Sequence, residues 1–344
     1  MHTILGIDYP TLWFLIVGAL FSGYAILDGF DLGAGAWHLF FKDDRSRRIA
    51  LNAVGPVWDG NEVWLVIGGG ALFAGFPEAY ATLFSAMYIP FILFLGFLIF
   101  RAVSIEFRGK EEMRWWRNTW DFCYSISSAM LGLLLGVVLG NVLIGINMNE
   151  QYVFTGSWLT FLNPYALAVG LTTLALFMVH GAIYLTMKTE GKLFEQVARL
   201  LRRSILFFVL TFILVSVISV LYFPHLSDRL LSTPILFVVP VLAFLSIANV
   251  PRLASKGKYL RSFIFSALSV CFLLILVAIE LYPVIILSRG DIDNSMNIYT
   301  AASSEKALGI MLTIVAIGFP LVIGYTVFVY RTFWGKVRLD DTSY

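Results

Sequence analysis

Four acidic side chains lie inside apolar stretches, in two closely spaced pairs. Asp28 and Asp31 fall in Gly23-Tyr-Ala-Ile-Leu-Asp-Gly-Phe-Asp-Leu-Gly-Ala-Gly35, and Asp59 and Glu62 in Gly55-Pro-Val-Trp-Asp-Gly-Asn-Glu-Val-Trp64. Each pair has i,i+3 spacing, which sets both carboxylates on one face of a helix. An acid inside a membrane helix costs roughly 2.5 to 3.5 kcal/mol on insertion scales and faces a protein interior or a water-filled cavity. Adjacent carboxylates cannot all ionise cheaply, so such a cluster suggests proton storage or conduction. The alternative is structural: interfacial acids bonded to neighbouring backbone or to a partner subunit.

Other candidates are weaker. His180 stands in an apolar run and could ligate haem, bridging with His38, but no second His or Cys lies three or four residues away. A hydrogen-bonded core histidine is the plainer reading, and His2 and His225 have less claim still as metal ligands. Glu280, just before Tyr282 and Pro283, could line a polar path or be an interfacial acid capped by water. Trp115, Trp116 and Trp120 read as interfacial anchors, and Asp121 beside them as an acid favouring a helix N-terminus. Cys123 and Cys271 both sit in apolar runs, so neither a disulfide framework nor a cysteine metal site is expected. There is no Walker motif, no Rossmann glycine pattern and no histidine pair at helical spacing. By itself the chain is expected to ligate no metal and to carry no redox centre or catalytic residue.

The elements that must position these groups are membrane helices. Of the 344 residues, 59% are hydrophobic and only 13% charged, about half the charged share of a soluble domain, and the mean hydropathy is +0.84. A net charge of +2 argues against nucleic acid as a partner. With about 20 apolar residues needed per crossing, nine spans can be drawn: about 10–39, 54–76, 79–100, 118–142, 164–187, 204–224, 233–250, 262–282 and 307–330. Residues 1–344 thus form a single polytopic membrane domain, all-α. The Lys and Arg residues alternate between connections, with Arg101 assigned to the loop after span 3; only Arg229, Arg289 and Lys306 fall on the sparse side. That asymmetry predicts an N-out, C-in orientation in a cytoplasmic membrane. The first ten residues lack Lys and Arg, so no cleaved signal is expected.

At about 1.5 Å per residue, Asp31 and Asp59 each lie roughly 16 Å along the chain from flanking cations, Lys42 and Arg48. The four acids should therefore share one layer. Gly29 and Gly33, Gly132, Gly136 and Gly140, and Gly68, Gly69, Gly70 and Gly75 read as close-packing faces. The exterior connections near 143–163 and 283–306 are too short for a separate catalytic module.

The run Leu27-Asp-Gly-Phe-Asp-Leu-Gly-Ala-Gly35, then Asn52-Ala-Val-Gly-Pro-Val-Trp-Asp-Gly-Asn-Glu-Val-Trp-Leu-Val-Ile-Gly-Gly-Gly-Ala-Leu-Phe-Ala-Gly-Phe-Pro77, resembles subunit II of cytochrome bd-type quinol oxidases. So do Arg101-Ala-Val-Ser-Ile-Glu-Phe-Arg-Gly-Lys110 and Trp116-Arg-Asn-Thr-Trp-Asp121. The resemblance implies two four-helix bundles plus one peripheral helix. It implies a heterodimer whose subunit I carries haem b and haem d, takes electrons from membrane quinol and reduces dioxygen. It leaves room for a bound quinone and a small single-span subunit. Asp59, beside Trp58, resembles the position implicated in supplying cytoplasmic protons. Asp28, Asp31, Glu62 and Glu106 look like further acids of that region, and Trp64 lies where some members border an apolar oxygen route. The rival from another class is a stand-alone proton-coupled transporter, with Asp28, Asp31, Asp59 and Glu62 as its coupling site. A third reading is a pure scaffold subunit.

Overall fold

The computed structural model describes residues 3, 4 and 6–339; His2 lies outside them. Helix α1 (Tyr9–Ala36) opens on a side-chain cap, the Asp8 carboxylate accepting the Thr11 amide at 2.9 Å, with Pro10 in its first turn. A short amphipathic helix, α2 (Asp44–Val54), follows, and its Ala50, Ala53 and Val54 are buried in the main core. Next come α3 (Trp58–Gly75), α4 (Pro77–Ala86), α5 (Tyr88–Phe107) and α6 (Arg114–Ile144). The second half contributes α7 (Pro164–Lys188), α8 (Gly191–Tyr222), a five-residue turn α9 (Asp228–Ser232), α10 (Val238–Ala254), α11 (Tyr259–Leu281) and α12 (Glu305–Thr332).

Among the described residues eight helices are long and apolar enough to cross a membrane, nine if α3 and α4, bent by 120° at their junction, count together as one span. The bend has a local cause. Pro77 disfavours helical backbone at the preceding residue, and Phe76 adopts φ −136°, ψ 67°. This corrects the expected third span. Residues 77–86 form their own helix, and the span itself is α5, which begins nine residues later than 79 and carries Arg101 inside it.

Helix α1 is central, packing against α3, α6, α7 and α11, while α5 lies on α6. A second group joins α7 to α8 and α11, and α10 to α11; α12 lies along α1. Small residues permit the closest crossings. A side chain at Gly33 would overlap the Phe177 carbonyl of α7, and one at Gly181 would overlap the α1 backbone. Gly132, Gly136 and Gly140 face α7 as expected, whereas among the span-2 glycines only Gly68 and Gly75 are packed and Gly69 and Gly70 open outward. At the end away from the basic loops, the connection between α6 and α7 pairs with the one between α11 and α12. The Ile146 amide donates to Leu287 O at 2.9 Å and the Arg289 amide to Ile146 O at 3.0 Å. Gly145 makes this possible with φ 82°, next to Leu287 O.

Candidate functional site

The acids meet around a cation that sequence reasoning placed in a loop. Arg101 is fully buried, as is Asp28, and the two form a bidentate pair: Nη2 donates to Oδ1 at 2.6 Å and Nη1 to Oδ2 at 2.9 Å. Such a pair repays its desolvation only with good geometry and is costly to break from one side. Glu62, one-fifth exposed, lies 3.6 Å from the same guanidinium, and the Trp58 ring centre is 6.0 Å from it. Three helices are thereby tied at one level, α1 through Asp28, α3 through Glu62 and α5 through Arg101.

Asp31, one turn along α1 from Asp28, is fully buried, and among the described residues no cation lies within ion-pair distance of it. Its Oδ2 accepts from the Asn61 amide at 2.7 Å, and its Oδ1 has no partner. Asn61 also donates to Leu27 O at 3.1 Å and accepts the Tyr330 hydroxyl of α12 at 3.0 Å. The buried layer therefore holds Asp28, Asp31 and Glu62 against one guanidinium. Carboxylates outnumber the cation in this layer.

Asp59 is exposed where Asp28 and Asp31 are buried. It lies in the first turn of α3, exposed on the isolated chain, one turn before Glu62. The estimate of its depth assumed a continuous helix from Arg48, but the chain leaves α2 at Val54 and turns before α3 begins. Glu106 is also exposed, on the side of α5 away from buried Arg101, Ser104 and Ile105. Trp64 is buried with Leu20 and Tyr24, its ring so close to Gly23 that a side chain there would overlap it.

A second ionic cluster lies toward the basic loops. Asp121 sits two turns inside α6, almost fully buried, and accepts from Arg108 Nε at 2.6 Å and Arg47 Nη1 at 2.9 Å. Its Oδ1 also lies 2.5 Å from His38 Nε2. Arg108 continues to Asp44 at 2.7 Å. The expected role of Asp121 at a helix N-terminus is corrected: it neutralises Arg47 and Arg108 from two other segments and bonds His38 from a third. The tryptophans beside it fit anchoring, with Trp115 exposed and Trp116 donating to Phe107 O at 2.7 Å.

His180 is a core histidine. Its Nδ1 lies 3.0 Å from Ser266 Oγ and its Nε2 3.1 Å from Ile26 O, and its ring stacks on Phe263 at 4.4 Å. With His38 engaged by Asp121, the residues present do not fit a haem bridging the two. His225 is exposed, and Glu280 is half-buried at the end of α11 beside the Arg229 turn. Among the described residues no group of three or more His, Cys, Asp or Glu is placed to hold a metal ion.

Asn61, Arg101, Tyr330 and the His38–Asp121–Arg108 cluster were missed from sequence. For Arg101 a signal existed: Pro90, in the first turn of α5, marks a later start for span 3, and a span drawn onward from there takes in Arg101.

Fold and site together define a multi-pass membrane protein whose first half is organised by buried ions. Residues 9–333 match the family of cytochrome bd terminal oxidase subunit II. The cytochrome bd-I ubiquinol oxidase subunit 2 of Escherichia coli (strain K12) is 32% identical over 370 residues, covering 97% of each chain. The cytochrome bd ubiquinol oxidase subunit 2 of Bacillus subtilis (strain 168) is 30% identical over 328 residues, covering 95% of this chain and 96% of the relative. In solved structures, the bd oxidase from Geobacillus thermodenitrificans shares the fold with a TM-score of 0.78 at 21% identity, over 94% of this chain and 98% of that one. The chain belongs to the cytochrome bd terminal oxidase subunit II family and is a multi-pass protein of the bacterial inner membrane.

Proposed function

We propose that this chain works as subunit II of a quinol:dioxygen oxidoreductase of the aerobic respiratory chain, supporting a haem-bearing subunit I and contributing a proton path that opens to the cytoplasm. The observation that carries the reading is the buried layer of Asp28, Asp31 and Glu62 around the single guanidinium of Arg101. Asp28 fixes that guanidinium. Asp31 and Glu62 are the acids left to exchange protons. Asp59, exposed one turn earlier on α3, is the entry acid and faces the partner or the protein–water boundary. In this reading the basic loops are cytoplasmic, the orientation is N-out and C-in, and the helices are grouped as two four-helix bundles with α12 peripheral.

Haem b and haem d belong to subunit I in this assignment, and membrane quinol and dioxygen are substrates of the complex. This chain's residues hold charge and move protons, and Trp58 and Trp64 pack the layer and border an apolar access route. A bound quinone and a small single-span subunit are compatible with the exposed apolar helix faces.

The test is Asp59→Asn in the purified complex. Turnover is expected to fall at least tenfold while the reduced-minus-oxidised haem spectrum persists, the scale of losing a positioned proton carrier, about 10²–10⁴-fold at most. Normal turnover in an assembled complex removes the proton role. Purification of the tagged chain in mild detergent as a colourless, active single protein would support the transporter instead.

A further inference from the structure

The acid with no cation is also the one whose orientation is braced from the far end of the chain. Asp31 is held on one oxygen only, by the Asn61 amide at 2.7 Å, and its other oxygen is buried and unpartnered. An amide can present either its oxygen or its nitrogen to a neighbour. Leu27 O and Asp31 decide which, since both only accept: Leu27 O takes the amide nitrogen at 3.1 Å, and a flipped amide would turn its oxygen on both. The Tyr330 hydroxyl donates to the amide oxygen at 3.0 Å and anchors the amide in that place.

Tyr330 is placed to do this. Helix α12 is largely exposed along its length, yet its last turn and the segment after it are fastened to the end of α7. Lys188 Nζ donates to Phe333 O at 2.6 Å, Lys336 Nζ to Thr189 O at 2.8 Å and to Thr186 O at 3.1 Å, and the Val337 amide to Lys188 O at 3.0 Å. The Tyr330 ring meets Phe30 edge-on at 6.4 Å, so Phe30, one residue before Asp31, packs against the same side chain that sets the amide.

We propose that Tyr330 is a positioning residue for Asp31, acting through Asn61, so that α12 sets the geometry of the proton-exchanging acid without touching it. This rests on the proton-path reading above. It requires no change in haem binding and no direct role for the phenol in proton transfer.

The experiment is redox-induced infrared difference spectroscopy of the assembled complex, with turnover measured in parallel. Asp31→Asn identifies the carboxyl band of Asp31 by deleting it and slows turnover; retention of every carboxyl band, or normal turnover, overturns the proton-path reading itself. Tyr330→Phe keeps the ring and removes only the hydroxyl. The Asp31 band is expected to move to higher frequency as its hydrogen bond loosens, and kcat to fall about three- to ten-fold, the effect of one neutral hydrogen bond, at unchanged KM for quinol. Asn61→Leu, which removes the donor outright, should move the band further in the same direction, and it serves if the Phe variant fails to assemble. An Asp31 band that stays put in the variants, with slowed turnover in Asp31→Asn alone, overturns the positioning role and leaves the proton path standing.

Discussion

The two groups of helices solve the same problem, polar groups buried in a membrane protein, in opposite ways. Around α1, α3, α5 and α6 the buried polar residues include Asp28, Asp31, Arg101, Arg108 and Asp121. Around α7, α8, α10 and α11 they are His180 and hydroxyls such as Ser204, Ser246, Ser262, Ser266 and Ser269; no Asp, Glu, Lys or Arg among the described residues is buried there. Most hydroxyls are satisfied within their own helix. Ser269 donates to Phe265 O at 2.8 Å and Ser204 to Leu201 O at 2.9 Å. A charge has no such local solution and must reach another helix, so the ions specify which helices meet and at what level. The neutral group packs through shape and small residues. The difference separates an ionic half from a neutral one.

Substitutions should therefore be severe in the first group and mild in the second. The largest effect is expected for Arg101→Leu, which strands Asp28 in a dry site at a cost of about 3–5 kcal/mol; the assembled, haem-containing complex should disappear from membranes. Asp28→Leu combined with Arg101→Leu should recover part of the yield, since no lone charge is left. Next is the seam between the groups. Gly33→Ala drives a methyl into the Phe177 backbone, costing about 1–3 kcal/mol, read as a lower melting temperature of the purified complex. Within the neutral group, Ser266→Ala leaves His180 Nδ1 without its partner, for about 1 kcal/mol by the same assay. Ser269→Ala should cost under about 0.5 kcal/mol, because Phe265 O keeps its helical donor. If Ser269→Ala proved as damaging as Arg101→Leu, the contrast between the halves would collapse.

What could be read from sequence was what is local. Apolar length, loop charge and glycine spacing located α1, α6, α7 and α11 to within a few residues, and the packing roles of Gly33 and Gly136 followed from their neighbours along one helix. Asp28 and Asp31 were legible as a buried pair because i,i+3 spacing is a property of a single helix. Their partners were not. Arg101 is 73 residues from Asp28 and Tyr330 is 269 from Asn61, and no periodicity links such positions. The exposure of Asp59 was not legible for a related reason: a turn after Val54 separates α2 from α3 and sets which face of α3 is covered, and a rise-per-residue estimate cannot see it.

The central claim is that the ionic half delivers cytoplasmic protons to the oxygen-reducing site of its partner. The most direct measurement is the rate of interior alkalinisation during turnover by the complex reconstituted in vesicles with its basic loops inward, for wild type and Asp59→Asn, with haem spectra taken on the same samples. The account predicts that alkalinisation and oxygen consumption fall together in the variant while the haem bands are unchanged. Equal rates in the two, at equal haem content, would contradict it.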